Sequence, residues 1–290
     1  MEFRRARPWL GTLVEIRVGD VDEICALAAI NAAFAEIADV HRLMSFHAHA
    51  SDLARLNRYA TDESIAVDAR THAVIALALQ FARDSDGRFD PSIAHELVAW
   101  GMLPRPLDAP EADPRADWRD VILCDDGRIR YARPLWLDLG GIAKGYAVDR
   151  AIDALRAAGI RQACVNAGGD LRRIGCGVER IDLRCPEASQ CVLPAFELGE
   201  GSVASSGGYF ERRRERGRWI GPHIHGRSRR PVGTASAVSV VAERCVVADA
   251  LTKIVLADPR AARPVLDAYA ASACMHTLSG GWRVLGQAAA

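Results

Sequence analysis

The first features of this sequence are absences. Its 290 residues include 37 basic and 37 acidic side chains, so no net charge would draw the chain to nucleic acid or to an acidic membrane surface. The eight cysteines form no CxxC pair, which excludes the common spacings of zinc sites and disulfide scaffolds and favours reduced thiols. Neither GxxxxGK[ST] nor GxGxxG occurs, so the usual nucleotide-binding loops are also excluded.

Targeting segments are a further absence. No apolar stretch is expected to reach the length of a membrane span, and no apolar core follows the charged N-terminal residues. We therefore expect no signal peptide and no lipid or membrane anchor. A cytoplasmic location follows, with a periplasmic one as the alternative if the start is truncated. With 50% hydrophobic residues, the chain is long enough for a sizeable core in one large domain or two small ones. We expect a single domain over residues 1–290, with sub-regions at about 1–134 and 135–290.

The most informative stretch runs from residue 135 to residue 175. Its apolar beginning, 135–137, predicts a strand that ends in Asp138. Gly140 and Gly141 then predict a tight turn, because a residue without Cβ allows the backbone to approach its neighbours closely. A second glycine turn ends in Asp170.

Between the two turns the sequence predicts a helix that begins near Lys144. Its apolar stripe follows the i, i+3, i+4, i+7 spacing and consists of Val148, Ala151, Ile152 and Leu155. Residues 163–165 then predict a buried strand. The two glycine turns, each beside a carboxylate, indicate that backbone packs against a ligand. Because the first turn precedes a helix, the free N–H groups at the helix N-terminus favour an anion there. An ordinary strand–helix–strand unit with plain turns is the alternative.

The rest of the chain predicts helices mixed with short strands. The predicted helices are 22–44, 69–83, 247–256 and 261–270. The predicted strands are 12–18, 121–123, 128–131, 181–184, 191–193, 235–241, 273–278 and 282–285. Because hairpins outnumber strict strand–helix–strand alternations, the pattern indicates an α+β fold.

The central stretch resembles a known family. LDLGGIAKGYAVDRAIDALRAAG at 137–159, followed by VNAGGD at 165–170, is similar to the signature of the FAD:protein FMN transferases, the ApbE family. The resemblance implies a T-fold-like architecture of mixed or antiparallel sheets with packed helices around a central flavin cleft. It also implies transfer of FMN from FAD to a serine or threonine hydroxyl of an acceptor flavoprotein, with release of AMP. FAD and the acceptor are then the expected partners, and nucleic acid is not.

Three further segments match the family in the expected order. Residues 44–57 resemble MSTY…DSEISRLN with a histidine in place of the tyrosine, 86–91 resemble DGxFDPT, and 202–207 resemble VATSG. The resemblance implies that the flavin dinucleotide is bound by His47, Arg88, Phe89, Asp90, Asp138, Lys144, Ser206 and Ile224. Read from the residues alone, a plain edge strand at 12–18 and a capped turn at Asp90 and Pro91 remain the alternatives.

The implied catalytic residues are His223, Asp249 and Lys253. His223 matches a histidine that has been assigned a part in catalysis in relatives, although the loop after it lacks the family's Asp-Pro. Asp249 matches the aspartate of ADALST, which holds Mg²⁺ together with the final threonine and a backbone carbonyl that corresponds to Gly141. Here the segment reads ADALTK, so Lys253 replaces the threonine, and an ammonium offers Mg²⁺ no oxygen ligand.

Several alternatives remain open at this stage. Lys253 could supply positive charge near the diphosphate, pair with Asp249 and weaken the site, leave a water as the missing ligand, or form a plain surface salt bridge. The alternative functions are FAD pyrophosphatase and a non-catalytic flavin-binding protein with a decayed metal site. A third is a binding module whose arginine cluster at 212–230 meets RNA or an acidic partner, although a solvated hairpin tip is favoured there.

Overall fold

A computed structural model describes residues 2–183, 196–209, 211–277 and 281–286. The α-helices of these residues are α1 (Glu23–Met44), α2 (Asp52–Tyr59), α3 (Ala69–Asp84), α4 (Ala94–Ala99), α5 (Ala143–Ala157), α6 (Cys245–Ala257) and α7 (Ala262–Ala268). The strands are β1 (Glu2–Trp9), β2 (Thr12–Gly19), β3 (Ile65–Ala66), β4 (Val121–Leu123), β5 (Arg128–Tyr131), β6 (Gln162–Ala167), β7 (Asp170–Ile174), β8 (Glu179–Ile181), β9 (Phe196–Leu198), β10 (Gly201–Gly207), β11 (Arg213–Glu215), β12 (Arg218–Ile220), β13 (Ile224–His225), β14 (Arg230–Pro231), β15 (Ser236–Ala242), β16 (Ser272–Thr277) and β17 (Gly281–Gly286).

One large antiparallel sheet organises these elements. Its eight strands follow the order β1-β2-β6-β7-β10-β15-β16-β17. The alternating residues Val14, Ile16 and Val18 of β2 are fully buried, as expected of a strand with one face on the core. Helix α5 packs on β6 and β7, α6 packs on β10 and β15, and α1 packs against α5. The sheet takes strands from both predicted sub-regions.

Helices α5 and α6 cap each other. Neither has a side-chain cap from its own N-cap residue. Instead Asp149 on α5 accepts hydrogen bonds from the backbone N–H of Cys245 and of Val246, each at 3.0 Å, at the start of α6. Asp249 on α6 accepts one at 3.0 Å from the N–H of Gly145 in the first turn of α5. Each carboxylate thereby satisfies backbone donors that a helix start leaves free.

Gly145 allows this close contact between the two helices. A Cβ added there would lie 2.8 Å from the Cβ of Asp249 and closer still to the carbonyl oxygen of Cys245. Any side chain at this position would therefore push α5 and α6 apart. The paired caps depend on a residue that the sequence presents only as one more glycine in a glycine-rich segment.

The α+β class and the long helices are confirmed. The helix predicted at 22–44 is α1, whose N-cap Asp22 accepts a hydrogen bond at 2.9 Å from the N–H of Cys25. The helices predicted at 69–83 and 247–256 correspond to α3, which is one residue longer, and α6, which is three residues longer. The strand predicted at 191–193 lies outside the described residues, and only part of the one predicted at 181–184 is described.

The strand predicted at 135–137 is wrong. The segment is extended but pairs with none of the strands in the described part of the chain. The backbone groups of Leu137 are satisfied by a side chain instead, since Asn57 accepts a hydrogen bond at 2.7 Å from the N–H of Leu137 and donates one at 3.0 Å to its carbonyl. A buried amide side chain therefore replaces the neighbouring strand.

Strand β1 was not predicted. It pairs with β2 across a turn at Leu10 and Gly11, whose φ values are 56° and 72°. Two successive positive φ values are typical of a type I′ hairpin turn. The arginines of β1 interrupt the apolar alternation of the strand. Charged side chains on an edge strand commonly prevent it from pairing with other chains.

Helix α1 also corrects the expectation about membrane-length segments. By length and composition alone it is long and apolar enough to cross a membrane. In the folded chain its residues Ile30, Phe34 and Ile37 are buried in the main hydrophobic core. Core helices often pass the same test, so this helix is weak support for a membrane span.

Candidate active site

A cleft of about 390 Å³ opens beside the helix pair. Its walls come from the end of α1, the turn at 88–91, the glycine turn that precedes α5, the segment 222–224 and the cleft side of α6. All of the predicted site residues line it except Ser206 and Asp249. Those two lie behind the wall and contact the cleft residue Lys253. The structure thus brings together residues that are up to about two hundred positions apart in the chain.

Lys253 lies at the centre of a hydrogen-bonded group. Its Nζ pairs with Oδ1 of Asp249, one helical turn earlier, and lies 3.0 Å from Oγ of Ser206. Thr252 fixes this arrangement because its Oγ1 lies 2.8 Å from Oγ of Ser206 and donates to the Asp249 carbonyl at 2.7 Å. Asp249 is fully buried, whereas 15% of the Lys253 side chain is exposed. The cation therefore stands between the carboxylate and the cleft.

Lys144 repeats this arrangement one helix away. Its Nζ pairs with Oδ2 of Asp170, a fully buried carboxylate at the end of the second glycine turn. The other oxygen of Asp170 accepts a hydrogen bond at 3.3 Å from the N–H of Ser205. Burial lowers the pKa of Lys144, but the carboxylates of Asp170 and Asp249 more than offset that effect and the pKa is raised. Lys144 is therefore charged at neutral pH.

Asp138 and His47 lie together on another part of the wall. Asp138 accepts a hydrogen bond at 3.1 Å from the N–H of Gly140, and its own N–H donates to the carbonyl of Pro91 at 2.8 Å. Burial raises the pKa of Asp138, and the hydrogen bond from the N–H of Gly140 and the nearby charge of Lys253 oppose that rise. The turn chemistry predicted at 138–141 thus aims a carboxylate at the cleft.

His223 enters the cleft from the segment before β13. Burial, together with the positive charges of Lys253 and Lys144, lowers its pKa to about 3, although Asp249 opposes the change. The imidazole is therefore neutral at physiological pH and has a nitrogen that can accept a proton. Its backbone is fixed because its carbonyl accepts a hydrogen bond at 2.9 Å from the N–H of Val232.

The turn at 88–91 forms a partly apolar wall. Phe89 is buried and packs against Phe81, with ring centroids 6.2 Å apart. Arg88 donates to Asp258 at 3.2 Å, and Asp90 accepts from Arg229 at 3.0 Å. Ile224 is also buried and lines the cleft. Arg88 and Asp90 thus hold the turn in place through protein contacts of their own.

The arginine cluster predicted at 212–230 divides into two parts. Arg227 and Arg229 form ion pairs with Asp86 and Asp90. The other part is an exposed hairpin, β11 and β12, and Arg212, just before it, lies 4.8 Å from the ring centroid of Trp219. A solvated hairpin tip was the favoured prediction there, and it is confirmed for residues 213–218.

Sequence reasoning missed three residues of this site. Asp170 was recognised as a turn residue but was not assigned to the site, and Gly145 and Thr252 were not assigned either. Each acts through a partner on another element: Lys144, Asp249 and Ser206 respectively. For Asp170 a signal existed, because both glycine turns of the central stretch stand beside a carboxylate.

The described residues do not fit the magnesium site that the resemblance implies. Oδ1 of Asp249 pairs with Lys253, and Oδ2 accepts from Gly145. The stem of Lys253 also runs beside Gly141, since a Cβ added to that glycine would lie 3.7 Å from Cε of the lysine. Among these residues no group of three or more His, Cys, Asp or Glu side chains is placed to hold a metal. Mg²⁺ prefers an octahedron of oxygen ligands, and here an ammonium fills that side of the carboxylate.

Comparison with known proteins identifies the class. A model of the ApbE family matches residues 10–275, and the chain therefore belongs to the ApbE family. Among similar proteins is the FAD:protein FMN transferase of Rhodobacter capsulatus, 31% identical over 259 residues, which are 83% of this chain and 48% of that protein. The chain thus spans about half the length of this relative. The FAD:protein FMN transferase of Treponema pallidum is 29% identical over 283 residues, which are 86% of this chain and 77% of that one.

Solved structures confirm the predicted ApbE architecture. The ApbE protein of Thermotoga maritima has a TM-score of 0.85 at 25% identity, with 98% of this chain and 96% of that chain covered. The flavin transferase ApbE of Vibrio cholerae has a TM-score of 0.80 at 23% identity, with 98% and 96% covered.

Proposed function

We propose that this protein transfers FMN from FAD to a serine or threonine hydroxyl of an acceptor protein and releases AMP. The observation that carries the proposal is the composition of the cleft. Phe89 and Ile224 offer apolar surface to a flavin ring, while Lys144 and Lys253 offer two ammonium groups to a diphosphate. The names of the relatives support the same reaction.

The reaction is a phosphoryl-type transfer that needs no redox partner. The acceptor hydroxyl oxygen forms a bond to the phosphorus of the FMN half, and the bond from that phosphorus to the bridging oxygen breaks. AMP leaves with the electron pair, and the hydroxyl proton passes to a base. Catalysis of this kind depends on positioning and on neutralising the charge that develops on the leaving phosphate.

His223 is the proposed base. It lines the cleft, and it is neutral at physiological pH because its pKa is lowered to about 3. The diphosphate of FAD would offset the charges of Lys144 and Lys253, which are among the causes of that low pKa. Substrate binding would therefore make the imidazole more basic when a proton has to be accepted.

The remaining site residues are proposed to position the substrate. His47 would lie against the flavin ring in place of the family's tyrosine, and Asp138 would accept a hydrogen bond from the ligand. Arg88 and Asp90 would keep the turn that carries Phe89 in place through their ion pairs. The proposed partners are FAD and an acceptor flavoprotein. We assign no step to Mg²⁺, because the ligand set does not fit it.

The test is incubation of the purified protein with FAD, with and without a threonine-containing acceptor domain. AMP is followed by chromatography, and the acceptor mass is followed by mass spectrometry. We expect AMP and an FMN-sized mass gain on the acceptor in equal amounts. AMP together with free FMN would favour a pyrophosphatase instead. Bound FAD with neither product would favour a non-catalytic flavin-binding protein.

A further inference from the structure

Lysine is almost absent from this chain. Of its 37 basic residues only two are lysines, Lys144 and Lys253, and the others are arginines. Both lysines line the cleft, and each pairs with a fully buried carboxylate. Elsewhere arginine serves even in a buried ion pair, as at Arg172. A compact ammonium on a flexible stem is therefore used only at this site, where the planar fork of arginine would bind in a different geometry.

The contacts of Lys253 leave it able to bind a further anion. An ammonium has three N–H donors. Among the described residues its partners are Asp249 and Ser206, so one donor remains for a ligand. The side chain is only 15% exposed, and it lines the cleft. A ligand anion would thus meet a cation that has already lost most of its water.

The carboxylate behind Lys253 is fully committed. Asp249 accepts from Lys253 on one oxygen and from Gly145, as the cap of α5, on the other. Withdrawing it to coordinate a metal would release the lysine and leave the N–H of Gly145 without its partner. The arrangement is therefore complete with an ammonium as its cation.

We infer that Lys253 takes the place of a divalent cation, so that Lys253 and Lys144 form a metal-free binding site for the diphosphate of a dinucleotide. The inference rests on the proposed function, which it extends by naming the groups that hold the diphosphate. When the bond between the two phosphates breaks, these ammonium groups neutralise the charge on the departing AMP. The hydroxyl proton still passes to His223, and the lysines remain protonated throughout.

The first experiment removes divalent cations. Protein desalted into EDTA is given FAD and an acceptor domain, with and without added Mg²⁺. We expect wild-type AMP release to be within about threefold in the two conditions, because the cation at the site is part of the protein. Lys253→Thr should lose at least about 100-fold in EDTA, as expected when a preorganised charge is removed. It should recover with Mg²⁺, because its hydroxyl adds an oxygen ligand; recovery also shows that the variant folds.

Two further variants sharpen this test. Lys253→Arg retains the charge but changes its geometry, and we expect a loss of at least about tenfold in both conditions. Arg263→Thr removes an exposed cation on α7, away from the cleft, and should leave the rates unchanged in both.

The second experiment measures binding without turnover. Selective ¹⁵N-lysine labelling yields signals from only two side chains, and Lys253→Thr deletes one of them and so assigns both. Unlabelled ADP, added in EDTA, supplies the diphosphate. We expect ADP to shift both ammonium signals, and we expect Mg²⁺ alone to shift neither.

The two experiments separate failure of this inference from failure of the proposed function. Wild-type transfer that stops in EDTA, with a Lys253 signal that ADP does not move, overturns the inference and leaves the transferase standing. Shifts caused by ADP without cleavage of FAD in any condition overturn the transferase and support the diphosphate site. Absence of both shifts and cleavage overturns the two together.

Discussion

Asp149 and Asp249 lie on neighbouring helices and have similar surroundings. Each is fully buried, each caps the other helix, and each pairs with a largely buried cation, which is Arg172 for Asp149 and Lys253 for Asp249. Asp149 also has a half-exposed second partner, Arg244, at 3.6 Å. The two aspartates differ in what lies beyond the largely buried cation. Arg172, the partner of Asp149, has only 8% of its side chain exposed and is enclosed by the protein, whereas Lys253 faces the cleft. The same capped ion pair is therefore structural at one position and available to a ligand at the other.

The difference shows that burial of a carboxylate does not by itself mark a functional site. Both aspartates satisfy backbone donors at a helix start, and either would be identified as a buried charge. What distinguishes Asp249 is that the cation paired with it lines an open volume.

Asp249→Ala should abolish AMP release. The substitution removes the anion that holds Lys253 in place, and we expect a decrease of at least about 100-fold, typical of losing one preorganised charge. Release is measured by chromatography with FAD and acceptor present. Asp153→Ala, at an exposed position of α5, is the control and should retain at least half of the activity. Unchanged release in the Asp249 variant would contradict the assignment of the site.

Asp149→Ala should lower the stability of the fold and should affect AMP release much less than Asp249→Ala does. It leaves the guanidinium of Arg172 buried without its 2.7 Å partner, and breaking a buried pair in this way costs about 3–5 kcal/mol. Urea unfolding measures the change in the free energy of unfolding. For the fraction that remains folded, AMP release should exceed that of Asp249→Ala by at least about tenfold. A stability change below about 1 kcal/mol would mean that this pair does not hold the helices together.

Replacing both Asp149 and Arg172 should destabilise the protein less than the sum of the two single substitutions. In Asp149→Ala combined with Arg172→Met no uncompensated charge remains buried. We expect the double variant to be about 1–3 kcal/mol more stable than the sum of the two single effects predicts. A double-mutant cycle of urea unfolding supplies this number. Strict additivity would argue that the two side chains do not interact.

Substitution of His223 should cause the smallest change in the free energy of unfolding, and that change should depend on pH. Its pKa is about 3 in the folded chain, against about 6.5 when unfolded, so the unfolded chain binds more protons between these values. Its contribution to stability is therefore complete above pH 6.5 and is lost as the pH falls towards 3. We expect His223→Gln to reduce the difference in unfolding free energy between pH 7 and pH 4.5 by about 1–2 kcal/mol. An identical pH dependence in both proteins would show that His223 is not buried in its neutral form.

Sequence reasoning succeeded where the decisive interactions are local. The apolar stripes of α1, α3, α5 and α6 follow helical spacing, and all four helices are present. The first glycine turn, the segment at 44–47 and the turn at 88–91 meet in one cleft, as the resemblance implied. For these helices and turns, residues close together in the sequence are sufficient to predict the local structure.

It failed where a partner lies far away in the chain. The side chain of Asn57 takes the place of a strand beside Leu137, 80 positions later, and no local pattern records that bond. The caps that Asp149 and Asp249 provide likewise join helices about one hundred positions apart. The pairing of Lys253 with Asp249 was foreseen from their spacing, but the burial that gives the pair its meaning was not.

The missing side chain at Gly145 has a consequence for how charge is distributed at the site. Lys144 is its neighbour on α5, and on α6 the nearest side-chain atom is the Cβ of Asp249, one turn before Lys253. A single methyl group at position 145 would widen the gap between the helices and draw the two ammonium groups apart. The concentration of positive charge that an incoming anion meets is therefore set by a residue that carries no charge.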